Sequence, residues 1–280
     1  MRPLHLENAT VMVTGASSGL GVEFAHQLAA RGADLVLVAR RADRLAEVAS
    51  QIGSAHGVTV TTLTMDLARE GAAAALRRDL TQRGITLTGL VNNAGFGYSG
   101  ALHRVDEERT LEMVRLNVDA LVDLTTTFLP DLRASGNGIL VNLASLAAFQ
   151  PNPGLAVYGA SKAFVLNFTQ ALWEESRSAG LRVLALCPGP AKTEFFEVAG
   201  EAAAAGLPRM EPDEVVEAAL KALSRRHPPS TVVPGMANTA MAQLTRRVLP
   251  TRLVASTVGR MMRRGEARGD ARGEARGQER

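Results

Sequence analysis

The sequence predicts an α/β fold: a doubly wound parallel sheet of about seven strands with helices on both faces. Three observations point to it. Short, continuous apolar runs alternate with longer segments of helical periodicity, the pattern of strands buried on both faces and covered by helices. A glycine-rich turn, Thr14-Gly15-Ala16-Ser17-Ser18-Gly19-Leu20-Gly21, separates the first apolar run from the first helical segment. Nothing in residues 1–230 reads as an interdomain linker.

Taken in chain order, strands are expected at 10–14, 34–39, 58–63, 88–92, 138–143, 182–187 and 230–233. Helices are expected at 19–31, 43–55, 69–83, 107–133, 157–179 and 212–224. Crossovers between parallel strands are right-handed, which makes the sheet doubly wound. Gly32 supplies a left-handed cap after the first helix. Pro212, followed by Asp213 and Glu214, opens the last of these helices with acidic residues where the dipole favours them. These elements make one domain over 1–235. Residues 236–264 form two short amphipathic segments split by Pro250. In the second, Leu253, Val254, Thr257, Val258, Met261 and Met262 share a face, and Arg252, Arg260, Arg263 and Arg264 lie elsewhere on the wheel. Residues 265–280 read GEAR-GDAR-GEAR-GQER. As a helix this repeat would stack acidic side chains at i,i+4 and carry a glycine every fourth residue, so disorder is expected.

Composition narrows the function classes. Of 280 residues, 46% are hydrophobic and 21% charged, which excludes wholesale disorder. Cys187 is the single cysteine, so an internal disulfide and a cysteine-clustered zinc site are excluded, and its place at the end of an apolar strand marks it as core. The five histidines show no ligand spacing, and no metal is expected. The net charge of +3 belongs to residues 260–280, with seven arginines against four acidic residues; the remainder balances at 24 against 24. A nucleic-acid binder would carry its basic face on the folded part. No apolar run approaches the ~18 residues of a spanning helix, and residues 1–15 hold no secretory signal. A soluble cytoplasmic protein is the expectation.

Two groups of residues carry chemistry. The glycine-rich turn lets backbone N–H groups approach a pyrophosphate at a helix N-terminus. At the end of the second strand, where NAD-binding folds place an acidic residue, the chain reads Ala39-Arg40-Arg41. A guanidinium grips a 2′-phosphate that a carboxylate would repel, so NADP(H) is expected over NAD(H). Arg41 also fits the start of a solvated helix. The second group is Tyr158-Gly159-Ala160-Ser161-Lys162, one of two tyrosines four residues from one of three lysines. That spacing sets both side chains on one helical face, where an ammonium favours the phenolate. Ser145 follows the fifth strand, at the edge where ligands bind in such sheets.

Together these pieces resemble the short-chain dehydrogenase/reductase superfamily, in its single-domain, Rossmann-type branch. The resemblance covers about residues 8–235 and rests on T-G-x-x-x-G-x-G at 14–21, M-D-L at 65–67, N-N-A-G at 92–95, L-N-V at 116–118, Ser145, Y-x-x-x-K at 158–162, and P-G-P with Thr193 after the sixth strand. It implies a catalytic set of Asn117, Ser145, Tyr158 and Lys162. Tyr158 would be the general acid in reduction and the base in oxidation. Lys162 would favour its phenolate and bind the nicotinamide ribose. Ser145 would meet the substrate oxygen, and Asn117 would hold a water leading to Lys162. Gly15, Ser17, Ser18, Gly19, Leu20 and Gly21 would cradle the pyrophosphate. Arg40 and Arg41 would take the 2′-phosphate, and Asp66 and Leu67 the adenine. Asn93, Ala94 and Gly95 would flank the ribose, and Pro188, Gly189 and Thr193 the nicotinamide. The resemblance also implies a homodimer or homotetramer through the 107–133 and 157–179 helices.

The segment after P-G-P, Glu194-Phe195-Phe196 to Met210, reads as an apolar lid, and Leu146 to Phe149 are apolar too. A hydrophobic, lipid- or steroid-like ketone or secondary alcohol is the expected substrate. Residues 236–264 either cap the substrate mouth, pack on another subunit, or touch a membrane surface weakly, which would make the protein peripheral. Tyr98 either lines the pocket or shields a loop; Trp173 reads as packing. Two rival readings stand beside the oxidoreductase: an NADPH-sensing binding module, and a non-redox lyase or isomerase on the same scaffold.

Overall fold

A computed structural model describes residues 4–204, 206–247 and 249–262; the repeat at 265–280 lies outside the described residues. Seven parallel strands form one sheet in the order β3-β2-β1-β4-β5-β6-β7. They are β1 (Thr10–Thr14), β2 (Asp34–Ala39), β3 (Val60–Thr64), β4 (Gly89–Asn92), β5 (Ile139–Leu143), β6 (Arg182–Leu186) and β7 (Thr231–Val232). The helices are α1 (Gly19–Ala29), α2 (Ala42–His56), α3 (Ala72–Gln82), α4 (Glu107–Val114), α5 (Ala120–Ala134), α6 (Ala156–Ser176), α7 (Phe195–Ala199), α8 (Pro212–Leu223) and α9 (Met236–Arg247), followed by α10 at 251–262.

The continuous apolar strands serve both faces by alternation. Val11 and Val13 of β1, with Leu35 and Leu37 of β2, pack on one side with α1, α2 and α8. Met12, Val36 and Val38 face the other side, against α3 and α5. Consecutive apolar residues such as 11–13 and 35–38 are thus all covered, alternately on one face of the sheet and the other. Cys187 is fully buried in a smaller cluster with Val165 and Leu166 of α6. Trp173 packs at the edge of the second cluster and donates Nε1–H to the Pro228 carbonyl at 3.0 Å.

Helix ends follow the local chemistry. Gly32 takes φ +82° just after α1, a region that costs glycine nothing. Pro212 begins α8, with Asp213 and Glu214 in its first turn. Some expected elements differ. The helix over 107–133 is interrupted by a π-turn at Arg115–Asp119 that joins α4 to α5. A π-turn inserts one residue without changing the apolar period on either side, so periodicity does not reveal it. The third strand also begins at Val60, two residues later than expected. Strand order reverses around β1, which pairs with β2 on one side and β4 on the other. The crevice outside the carboxyl ends of these strands is where doubly wound sheets bind ligands.

Candidate functional site

A cavity of about 760 Å³ occupies that crevice, and 18 of the 20 site residues expected from sequence line it. Gly21 and Asn117 do not; both stand one layer behind. Gly21 lies against the turn, where an added Cβ would come within 2.2 Å of the Gly15 carbonyl oxygen. Gly19 has φ +55° and faces Thr193, whose side chain would be 3.0 Å from an added Cβ. No acidic residue sits in the first turn of α1, which leaves that N-terminus free to meet an anion.

Thr14 fastens the turn to β4. Its Oγ1 accepts from the backbone N–H of Asn93 and of Ala94, each at 3.0 Å. Asn93 Nδ2 returns a bond to the Thr14 carbonyl at 2.9 Å. The Asp66 carboxylate accepts from the Ala68 N–H at 3.1 Å. The two arginines part company. Arg40 reaches Glu112 of α4 at 3.3 Å. Arg41 donates to Ser17 Oγ at 3.2 Å and pairs with Glu194 at 3.0 Å. Neither Glu112 nor Glu194 is recognisable beforehand as an arginine partner, because both lie more than 70 residues away in sequence.

At the far end of the sheet edge, α6 presents Tyr158 and Lys162, 8% and 6% exposed. Lys162 Nζ donates to the Leu143 carbonyl at 2.7 Å, at the end of β5. Burial lowers the lysine to about 8. Burial also raises the Tyr158 hydroxyl to about 12, opposed by its hydrogen bond with Ser145. Ser145 caps the short turn Leu146–Phe149, with Oγ accepting from the Ala147 N–H at 3.1 Å. Asn117 sits in the π-turn. Its Oδ1 accepts from Phe96 N–H at 3.1 Å and its Nδ2 donates to Ser161 Oγ at 3.2 Å. The Asn117 oxygen would stand 2.7 Å from a Cβ at Gly95, and Lys162 Nζ 3.5 Å from it. Asn117 therefore stiffens the wall behind Lys162.

The remaining walls are apolar. All six face residues expected of the second amphipathic segment, from Leu253 to Met262, line the cavity, and Arg252 and Arg260 do not. Met262 is 3% exposed and packs in one cluster with Tyr158, Phe96 and Leu155. Phe195 of α7 stands against Tyr158 with ring centroids 5.5 Å apart. Of the readings for 236–264, the cap over the cavity is the one these contacts support. Tyr98 is not on the lining; its hydroxyl accepts from the Asp106 N–H at 3.4 Å, the loop-shielding alternative. Among the described residues, no helix is long and apolar enough to cross a membrane, and no group of three His, Cys, Asp or Glu could hold a metal.

A family model described as short chain dehydrogenase matches residues 9–204. A sulfoacetaldehyde reductase 2 of Chromohalobacter salexigens is 38% identical over 187 residues, 66% of this chain and 73% of that protein. A very-long-chain 3-oxoacyl-CoA reductase of Anas platyrhynchos is 32% identical over 195 residues; the match covers 68% of this chain and 62% of that protein's length. Among solved structures, a short-chain dehydrogenase from Sphingobium yanoikuyae in complex with NADPH is 35% identical, with a TM-score of 0.75 over 86% of this chain and 96% of that one.

Proposed function

The chain belongs to the short-chain dehydrogenase family, and we propose that it is an NADP(H)-dependent oxidoreductase acting on a bulky, uncharged ketone or the matching secondary alcohol. One observation carries the reading. Tyr158, Lys162 and Ser145 meet at one end of a cavity whose charged lining residues are Arg40, Arg41, Asp66, Lys162 and Glu194. None of these comes from the walls that α9, α10 and residues 195–207 supply. A substrate there is surrounded by methionine, leucine, valine and phenylalanine. A sulfonate, the group named in the Chromohalobacter relative, would be desolvated on those walls without a cation, at a cost that apolar contacts do not return.

The glycine cradle, the unopposed N-terminus of α1 and Arg40 fit a phosphorylated dinucleotide. When bound there, it supplies or accepts the hydride. This chain's residues do the rest. Tyr158, kept protonated by burial, donates its proton to the substrate oxygen in reduction. The Ser145 hydroxyl donates a hydrogen bond to the same oxygen as charge gathers on it. Lys162, cationic below about 8, holds positive charge close to the forming phenolate. Asn117 anchors the segment at Phe96 and Ser161 that keeps Lys162 in place. Phe195 and Met262 exclude water from Tyr158.

NADPH oxidation over a ladder of ketones tests this, from short and polar to long-chain and polycyclic, with sulfoacetaldehyde alongside. Turnover should rise with apolar size and be negligible for the sulfonate. Faster turnover of sulfoacetaldehyde would defeat the substrate assignment. Arg40→Ala should weaken NADPH binding by about 10- to 100-fold, the size of a lost charge-assisted bond, and leave NADH binding within about 2-fold. Equal weakening of both dinucleotides would deny Arg40 its 2′-phosphate.

A further inference from the structure

Glu194 joins two parts of the site that are far apart in sequence. Its carboxylate lies 3.0 Å from Arg41 Nη1. The same guanidinium donates Nε–H to Ser17 Oγ at 3.2 Å and Nη2–H to the Ser17 carbonyl at 3.3 Å. Arg41 thus holds the glycine-rich turn with two nitrogens and the residue before α7 with the third. On one side of Glu194, Thr193 stands against Gly19. On the other, the chain enters α7, where Phe195 rests on Tyr158 and meets Phe196 edge-on at 5.2 Å between centroids. Turn, ion pair and lid base therefore form a ring of contacts across the crevice at the N-terminus of α1, where a pyrophosphate binds in folds of this kind.

Arg40 is placed differently. Its side chain is 58% exposed and meets one carboxylate, Glu112. Glu112 keeps a second cation, Arg109 at 2.8 Å. Arg40 can turn to a 2′-phosphate without leaving Glu112 unpaired. Arg41 cannot leave Glu194 without breaking the ion pair between the lid base and the turn, which leaves the packing of Thr193 on Gly19 there.

We propose that Arg41 and Glu194 form a strap tying the lid base to the glycine-rich turn across the dinucleotide crevice, so that release of the dinucleotide requires the strap to open. Glu194 is then a positioning residue for cofactor retention. The proposal rests on the dinucleotide-binding reading above. The two side chains are 45% and 39% exposed. Exposed pairs are weak and screened by salt, which suits a contact that opens in every turnover.

Stopped-flow displacement of NADPH and of NADH tests it on the full chain, with Glu194→Gln, Arg41→Gln and the double variant. Glu194→Gln should speed release of both dinucleotides by about 5-fold, the scale of a lost exposed pair. The double variant should release no faster than Arg41→Gln alone. Amides of 195–204 should exchange hydrogen faster in Glu194→Gln. An unchanged release rate overturns the strap. So does slower release of NADPH with NADH unaffected, which would make Glu194 a competitor of the 2′-phosphate. If the unmodified protein binds neither dinucleotide, the cofactor reading itself fails, and that is seen before any variant is compared.

Discussion

Tyr158→Phe lowers kcat for ketone reduction by about 10³-fold, within the range for loss of a general acid, and leaves NADPH affinity within about 2-fold. The ring remains, so its contact with Phe195 and its place in the Met262 cluster persist. Only the hydroxyl is lost. Because burial holds that hydroxyl near 12, the acid form is present throughout neutral pH, and reduction should not depend on Tyr158 titrating below pH 9. Lys162, near 8, sets the upper limit instead: reduction should decline as pH rises through about 8 and the ammonium discharges. Single-turnover rates against pH, together with a fluorescence titration of NADPH, measure both. A Phe variant retaining more than a tenth of the rate would mean that another group delivers the proton.

Lys162→Met abolishes most activity and removes a pH dependence of stability. Burial lowers the folded-state lysine from 10.5 to about 8. Between those values the unfolded chain carries a proton that the folded chain has lost. Stability of the unmodified protein therefore rises with pH from about 8 to about 10.5, by as much as ~3 kcal/mol for this one group. Below about 8 the full cost of a buried ammonium is present, offset in part by its bond to the Leu143 carbonyl. Methionine has nothing to titrate. The stability difference between the two proteins should be largest below pH 8 and shift steadily in favour of lysine above it. Urea denaturation at pH 7 and pH 10 reads this directly. A difference independent of pH would mean that the lysine is solvated as it is in the unfolded chain.

Most of the sheet and the local placement of the candidate site residues were legible in the chain. Apolar runs such as Asp34–Ala39 have one use in a protein of this composition, because a strand apolar at consecutive positions must be covered on both faces. Tyr158 and Lys162 lie one helical turn apart, so their alignment is local geometry. The shared face from Leu253 to Met262 was legible for the same reason. The π-turn that carries Asn117 was not, since it leaves the apolar period intact on both sides. Which arginine does what was also hidden. Arg40 and Arg41 are adjacent and chemically identical, and only their partners Glu112 and Glu194 separate them.

The sequence by itself determined the fold class, the glycine-rich turn and the Tyr158/Lys162 pair, because each is written in contacts between near neighbours along the chain. Tertiary structure alone decided where the C-terminal helices go, that Met262 closes on Tyr158, and that Arg41 spans to Glu194. Those contacts join residues separated by about a hundred positions or more, and no local pattern specifies which distant surface an apolar face or a guanidinium will find.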